Sequence, residues 1–76
     1  MNKEVAFYAE LELSLGRVLN FRRVFKCIIP ADEAFVLLFD DTGLKVLEQF
    51  YDGLRESGVI TSDGRARCLN KWIEAP

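Results

Sequence analysis

A two-residue alternation of apolar and polar side chains runs from Val5 to Ile29, longer than any other pattern in the chain, and it dictates a β-hairpin. Val5, Phe7, Ala9, Leu11, Leu13 and Leu15 take every second position, separated by Ala6, Tyr8, Glu10, Glu12 and Ser14. Successive strand side chains point to opposite faces, so this spacing predicts one face on a core and one in solvent. After Gly16 the alternation resumes as Leu19, Phe21, Phe25, Cys27 and Ile29, with Asn20, Arg22, Val24, Lys26 and Ile28 between them. Arg23 is the misfit on the inner face, read as a β-bulge or as a side chain reaching past the core edge to an acid.

Parity sets the register. A turn around Leu15, Gly16 and Arg17 with an odd number of loop residues brings inner positions together, Leu13 near Leu19 or Phe21 and Phe7 near Phe25 or Cys27. Glu10 or Glu12 then lies across from Arg22, a pairing that supports a ladder by about 0.2–1 kcal/mol. An even loop sets Leu11 opposite Arg22 and scrambles both faces, so it is rejected.

Pro30 cannot donate to a ladder and ends the second strand, and residues 30–33 read as a turn. The apolar run Ala34 to Phe39 is too short to classify by period. It is read as a third strand buried on both faces, against a short helix with Pro30 at its first position and Asp32 and Glu33 in its first turn. From Asp40 the spacing of Leu44, Leu47, Phe50, Tyr51 and Leu54 predicts an amphipathic helix, capped by Asp41 or Thr42 and ended by Gly58. Asp41, Glu48, Asp52 and Glu56 fall on its opposite side, and Gly53 suggests close helix-to-sheet contact. Val59 to Thr61, Ser62-Asp63-Gly64 and Arg65 onward read as a second hairpin, while Cys68, Leu69, Trp72 and Ile73 also suit a helix. The passage from Leu54 to Arg65 resembles the end of a winged-helix module, helix then wing hairpin. The strand-rich N-terminal half lacks the three-helix core of such a module, so no family is assigned on it.

The fold expected is α+β, a small antiparallel sheet led by an N-terminal β-hairpin with one amphipathic helix packed on it, over a single domain of residues 1–76. Half the residues are hydrophobic, with six Phe, two Tyr and one Trp. A chain this short encloses little interior, so part of that apolar surface stays outside or is covered by another chain. The first fifteen residues are interrupted by Lys3, Glu4, Glu10 and Glu12, unlike a signal peptide, and no run is long enough to span a bilayer. The chain is therefore read as cytoplasmic and without a membrane, with Cys27 and Cys68 as reduced thiols.

Chemistry narrows further. Without histidine the chain lacks the usual general base and transition-metal ligand, and two isolated cysteines do not make a zinc site. No phosphate-binding glycine motif occurs, so no cofactor and no metal are expected, and the chain is read as non-catalytic. Asp40 with Asp41 is an acidic pair that offers acid–base or cation chemistry, with helix capping as its ordinary reading, and Glu10 with Glu12 on one strand face reads as a solvated surface paired with Arg22 and Lys26.

The net charge is −2, but the charges are segregated. Arg17, Arg22, Arg23 and Lys26 form one basic group and Arg65, Arg67 and Lys71 another, while the helix between them is acidic. By parity Phe21 and Phe25 point inward, away from Arg22 and Lys26, which removes the aromatic platform that single-stranded nucleic acid requires. At the far end of the outer face Ala6, Tyr8, Val24 and Ile28 gather beside Lys26 as an apolar patch with charged neighbours, read as an interface or as a surface covered by the C-terminal tail with Trp72. The function expected is a protein-binding module, an inhibitor or adaptor, as a homodimer or with a protein partner. It acts through Tyr8, Arg22, Val24, Lys26 and Ile28 on the sheet and Glu48, Asp52 and Glu56 on the helix. Small inhibitors of phages and mobile elements share this build, a likeness of fold alone. The alternative is a nucleic-acid-binding domain using the 17–26 and 65–71 basic groups.

Overall fold

A computed structural model of the chain describes residues 3–15, 19–56 and 65–74. Two strands, β1 (Glu4–Leu15) and β2 (Leu19–Pro30), are followed by helices α1 (Ala31–Leu38) and α2 (Leu44–Glu56) and by strand β3 (Arg65–Glu74). The strands form an antiparallel sheet in the order β2-β1-β3, with both helices on one face. This is the α+β architecture expected, with a second helix added.

The hairpin register is the odd-loop one: Leu13 faces Phe21, Phe7 faces Cys27 and Glu12 faces Arg22, without a shift from Glu4↔Pro30 to Leu15↔Leu19. Arg23 therefore causes no bulge. It lies opposite Leu11, is exposed, and lays its guanidinium 5.7 Å from the centre of the Phe21 ring. The long stem lets the charge leave the core edge while the strand stays regular.

The reading of residues 34–39 as a strand is corrected: they lie in or end α1. Pro30 holds φ −56° and ψ 144° at the cap, Asp32 and Glu33 lie in the favourable first turn, and the Asp32 carboxylate accepts the Glu33 N–H at 3.0 Å. Ala34 and Leu37, three residues apart, are buried on the sheet, whereas Phe35, Val36 and Phe39 are exposed. The second edge of β1 is taken by β3. The tail is thus a strand, and the reading of it as a helix is set aside. Residues 57–64, which carry the expected Gly58 cap, the second hairpin and most of the winged-helix likeness, lie outside the described residues.

The core joins Phe7, Ala9, Leu11 and Leu13 of β1 and Ile29 of β2 to Ala34 and Leu37 of α1 and Val46 and Leu54 of α2. Leu47 and Phe50 complete the helix face, while Leu44 and Tyr51 are exposed. The apolar stripe of α2 is therefore centred on Val46, Phe50 and Leu54, rotated from the expected one. The close contact expected at Gly53 is corrected too, since a Cβ built there meets nothing within 4 Å. Gly53→Ala is accordingly expected to stabilise the protein by about 0.5–1 kcal/mol through the lower chain entropy of alanine, read as a higher midpoint in thermal or urea unfolding.

Candidate protein-binding face

The sheet face away from the helices is built in cross-strand rows. From the far end these are Ile28–Ala6–Glu74, Lys26–Tyr8–Trp72, Val24–Glu10–Asn70, Arg22–Glu12–Arg67 and Asn20–Ser14–Arg65. A register shift between Glu10 and Leu11 pairs Asn70 with Glu10 and Cys68 with Leu11, which leaves Leu69 without a β1 partner. That bulge exchanges the two faces of β3. Without it, Arg65, Arg67, Lys71 and Ile73 would share one face; with it, Lys71 and Ile73 turn to the helices and Trp72 turns out beside Tyr8.

The Tyr8 and Trp72 rings stack at 5.3 Å and an interplanar angle of 5°, and the Lys26 ammonium lies 5.8 Å from the Tyr8 ring centre. Beside them Val24 and Ile28 are 52% and 54% exposed. Trp72 therefore extends the expected apolar patch and leaves Val24 and Ile28 open, although Ala6 is buried and Tyr8 partly covered. Towards the hairpin turn the face becomes polar and basic. Glu12 stands between Arg22 and Arg67, and its carboxylate goes to Arg67 at 3.0 Å, in place of the expected pairing with Arg22. The pair is solvent-exposed on the arginine side, so it contributes at most about 1 kcal/mol. Arg22 and Lys26 have no carboxylate partner among the described residues.

The eight residues expected at the site divide into two groups. Tyr8, Arg22, Val24, Lys26 and Ile28 share the outer sheet face, joined there by Trp72, Arg65 and Arg67. Glu48, Asp52 and Glu56 are exposed on α2, which packs on the other face, so the acidic helix is not part of the same surface. Sequence places Trp72 at this patch only as part of a covering tail, because its position beside Tyr8 depends on the bulge.

The aspartate pair is engaged in holding the start of α2. Asp40 accepts the Lys45 N–H at 3.0 Å and the Thr42 hydroxyl at 2.9 Å, while Thr42 Oγ1 accepts the Leu44 N–H at 3.2 Å. Thr42 thus caps as expected, and Asp40 takes the role assigned to Asp41. The Lys45 N–H holds the Asp40 carboxyl below its ordinary range, partly offset by desolvation and helped by Thr42 and by the charge of Lys71. A depressed carboxyl pKa stabilises above the unfolded value and ceases to as the pH falls through the folded one. Exchange of the α2 amides is expected to accelerate in that acid range, and Asp40→Asn to flatten this dependence, as read by hydrogen exchange against pH.

Lys71 of the second basic group is withdrawn from the surface. Its ammonium donates to the Leu37 carbonyl at 2.8 Å and to the Asp40 carbonyl, closing the C-terminal end of α1. Cys27 and Cys68 are free and half-buried on the helix-facing side, and burial raises both thiols. They stand in strands on either side of β1, Cys27 level with Phe7 and Cys68 level with Leu11, so two strand spacings and an offset of four residues set them roughly 16 Å apart, beyond disulfide reach. No cluster of three or more metal-ligating side chains occurs among the described residues, and no helix there is long and apolar enough to cross a membrane.

These features define the class, a small α+β domain with an open, aromatic and cationic sheet face. No protein family, curated protein or solved structure matches the chain.

Proposed function

We propose that the chain is a non-catalytic protein-binding module, an inhibitor or adaptor, whose contact surface is the outer sheet face around Tyr8, Trp72, Val24 and Ile28. The observation that carries this reading is the exposed Val24 and Ile28 beside a stacked Tyr8–Trp72 pair, a centre of apolar and aromatic groups with Arg22 and Lys26 at its margin. The unpaired cations favour a partner with an acidic rim over a second copy of the same basic face. The acidic side of α2, with Glu48, Asp52 and Glu56, lies on the other face and is left to solvent in this reading. Tyr8→Ala combined with Val24→Asp is expected to abolish capture of the partner from a lysate that contains it, with an unchanged unfolding midpoint. Capture at the wild-type level would refute the surface. Light scattering is expected to give a monomer; a dimer dissociated by the same variant would assign the face to self-association.

One observation favours a second reading, nucleic-acid binding. Arg65 and Arg67 share the outer face with Arg22 and Lys26, and two stacked aromatics stand in the Lys26 row beside them. Against it, Glu10, Glu12 and Glu74 share the face, and the Tyr8 and Trp72 rings are already stacked on each other. Titration with short single-stranded DNA and RNA at low salt is expected to be flat, whereas salt-sensitive binding lost on Arg22→Ala and Lys26→Ala would establish this second reading.

A further inference from the structure

We propose that the open edge of β2 is a strand-addition site for an extended acidic segment of a protein partner. The inference rests on the reading of the chain as a protein-binding module and names the kind of segment that docks.

β2 is twelve residues long, lies at the border of the sheet and pairs only with β1, in a register without a shift. An antiparallel strand uses its backbone groups alternately on its two sides, so half of the β2 N–H and C=O groups face away from β1. Among the described residues no backbone bond from another element reaches them. Such an edge is a template for a further strand. The other border differs: β3 carries the bulge at Leu69, and two of its bases, Arg67 and Lys71, are already engaged within the chain. The bulge blunts that edge, and the engaged bases leave it less free charge to draw an acidic strand.

The charges on β2 select the occupant. Arg22 and Lys26 project from the outer face, four residues or about 13 Å apart along the strand, and Arg23 is exposed on the other side. None of the three has a carboxylate partner among the described residues. Two copies paired edge to edge through β2 would bring six cations into one seam, where like charges repel. An acidic strand meets the opposite situation. Laid antiparallel, it places one acid opposite Lys26, two positions suited to apolar side chains opposite Phe25 and Val24, then two acids opposite Arg23 and Arg22. The complementary run is acid, apolar, apolar, acid, acid.

A fluorescent ten-residue peptide with the central run Glu-Val-Val-Glu-Glu is the probe. At low salt it is expected to bind saturably, to weaken as salt rises, and to slow hydrogen exchange of β2 amides. Arg22→Ala, Arg23→Ala and Lys26→Ala are each expected to weaken it about two- to five-fold, as for exposed ion pairs, and a peptide with Lys in place of Glu is expected not to bind. A Glu peptide with prolines at alternate positions, unable to form a ladder, is expected to fail as well. Equal binding of the Lys or proline peptides, or protection confined to β3 or the helices, would overturn the proposal. If the Glu peptide fails while Tyr8→Ala with Val24→Asp still lowers partner capture, strand addition falls and the face reading stands. If it binds and protects β2 while that variant leaves capture intact, the edge is supported and the face reading falls.

Discussion

Gly43→Ala is expected to cost about 2–5 kcal/mol, measured by urea or thermal unfolding. Gly43 sits between the cap residue Thr42 and the first residue of α2 with φ +72°, a backbone region that costs an L side chain about 1–2 kcal/mol. A Cβ placed there would also come within 2.9 Å of the Cys68 Cβ, closer than packed carbons approach. Relieving such an overlap costs typically about 1–3 kcal/mol. Asn tolerates the dihedral but keeps the Cβ, so Gly43→Asn is expected to recover only part of the loss. Full recovery by Asn would show that the contact with Cys68 contributes nothing.

Lys71→Met is the second large effect, expected to destabilise by about 2 kcal/mol. Methionine keeps the apolar stem but leaves the carbonyls of Leu37 and Asp40 without the ammonium that now joins them. A partly buried acceptor deprived of a charged donor costs about 1–3 kcal/mol. The loss should be concentrated where α1 ends, so faster exchange of the Asp40 and Phe39 amides, which close that end on Leu37 and Phe35, would accompany it. Uniform destabilisation without that local signature would contradict the capping role.

How far the fold was legible follows from which signals are local. The hairpin register could be read from parity, since a slip of one residue would have inverted Phe7, Leu11 and Leu13. Residues 34–39 could not, because a continuous apolar run carries no period; Pro30, Asp32 and Glu33 were the better guides, and they indicated the helix. The α2 stripe was mis-phased because Leu44 and Tyr51 match a helical spacing as well as Val46 does, and only the sheet decides between them. The outer patch was legible through Tyr8, Val24 and Ile28. Its second aromatic was not, since a bulge at Leu69 leaves no mark in local sequence and yet determines where Trp72 and Lys71 point. The two basic groups were legible as groups, but their division, with Arg67 on Glu12 and Lys71 on α1, arises from tertiary contact.

The chain exposes a second apolar surface, Phe35, Val36 and Phe39 on the helical side, with the two phenyl rings stacked at 6.1 Å. Hydroxyl-radical footprinting of the chain, free and bound to its captured partner, distinguishes the two surfaces. Tyr8 and Trp72 are expected to be protected in the complex while Phe35, Phe39 and Tyr51 react as in the free protein. Protection of the helical aromatics with Tyr8 and Trp72 unchanged would contradict the outer-face reading.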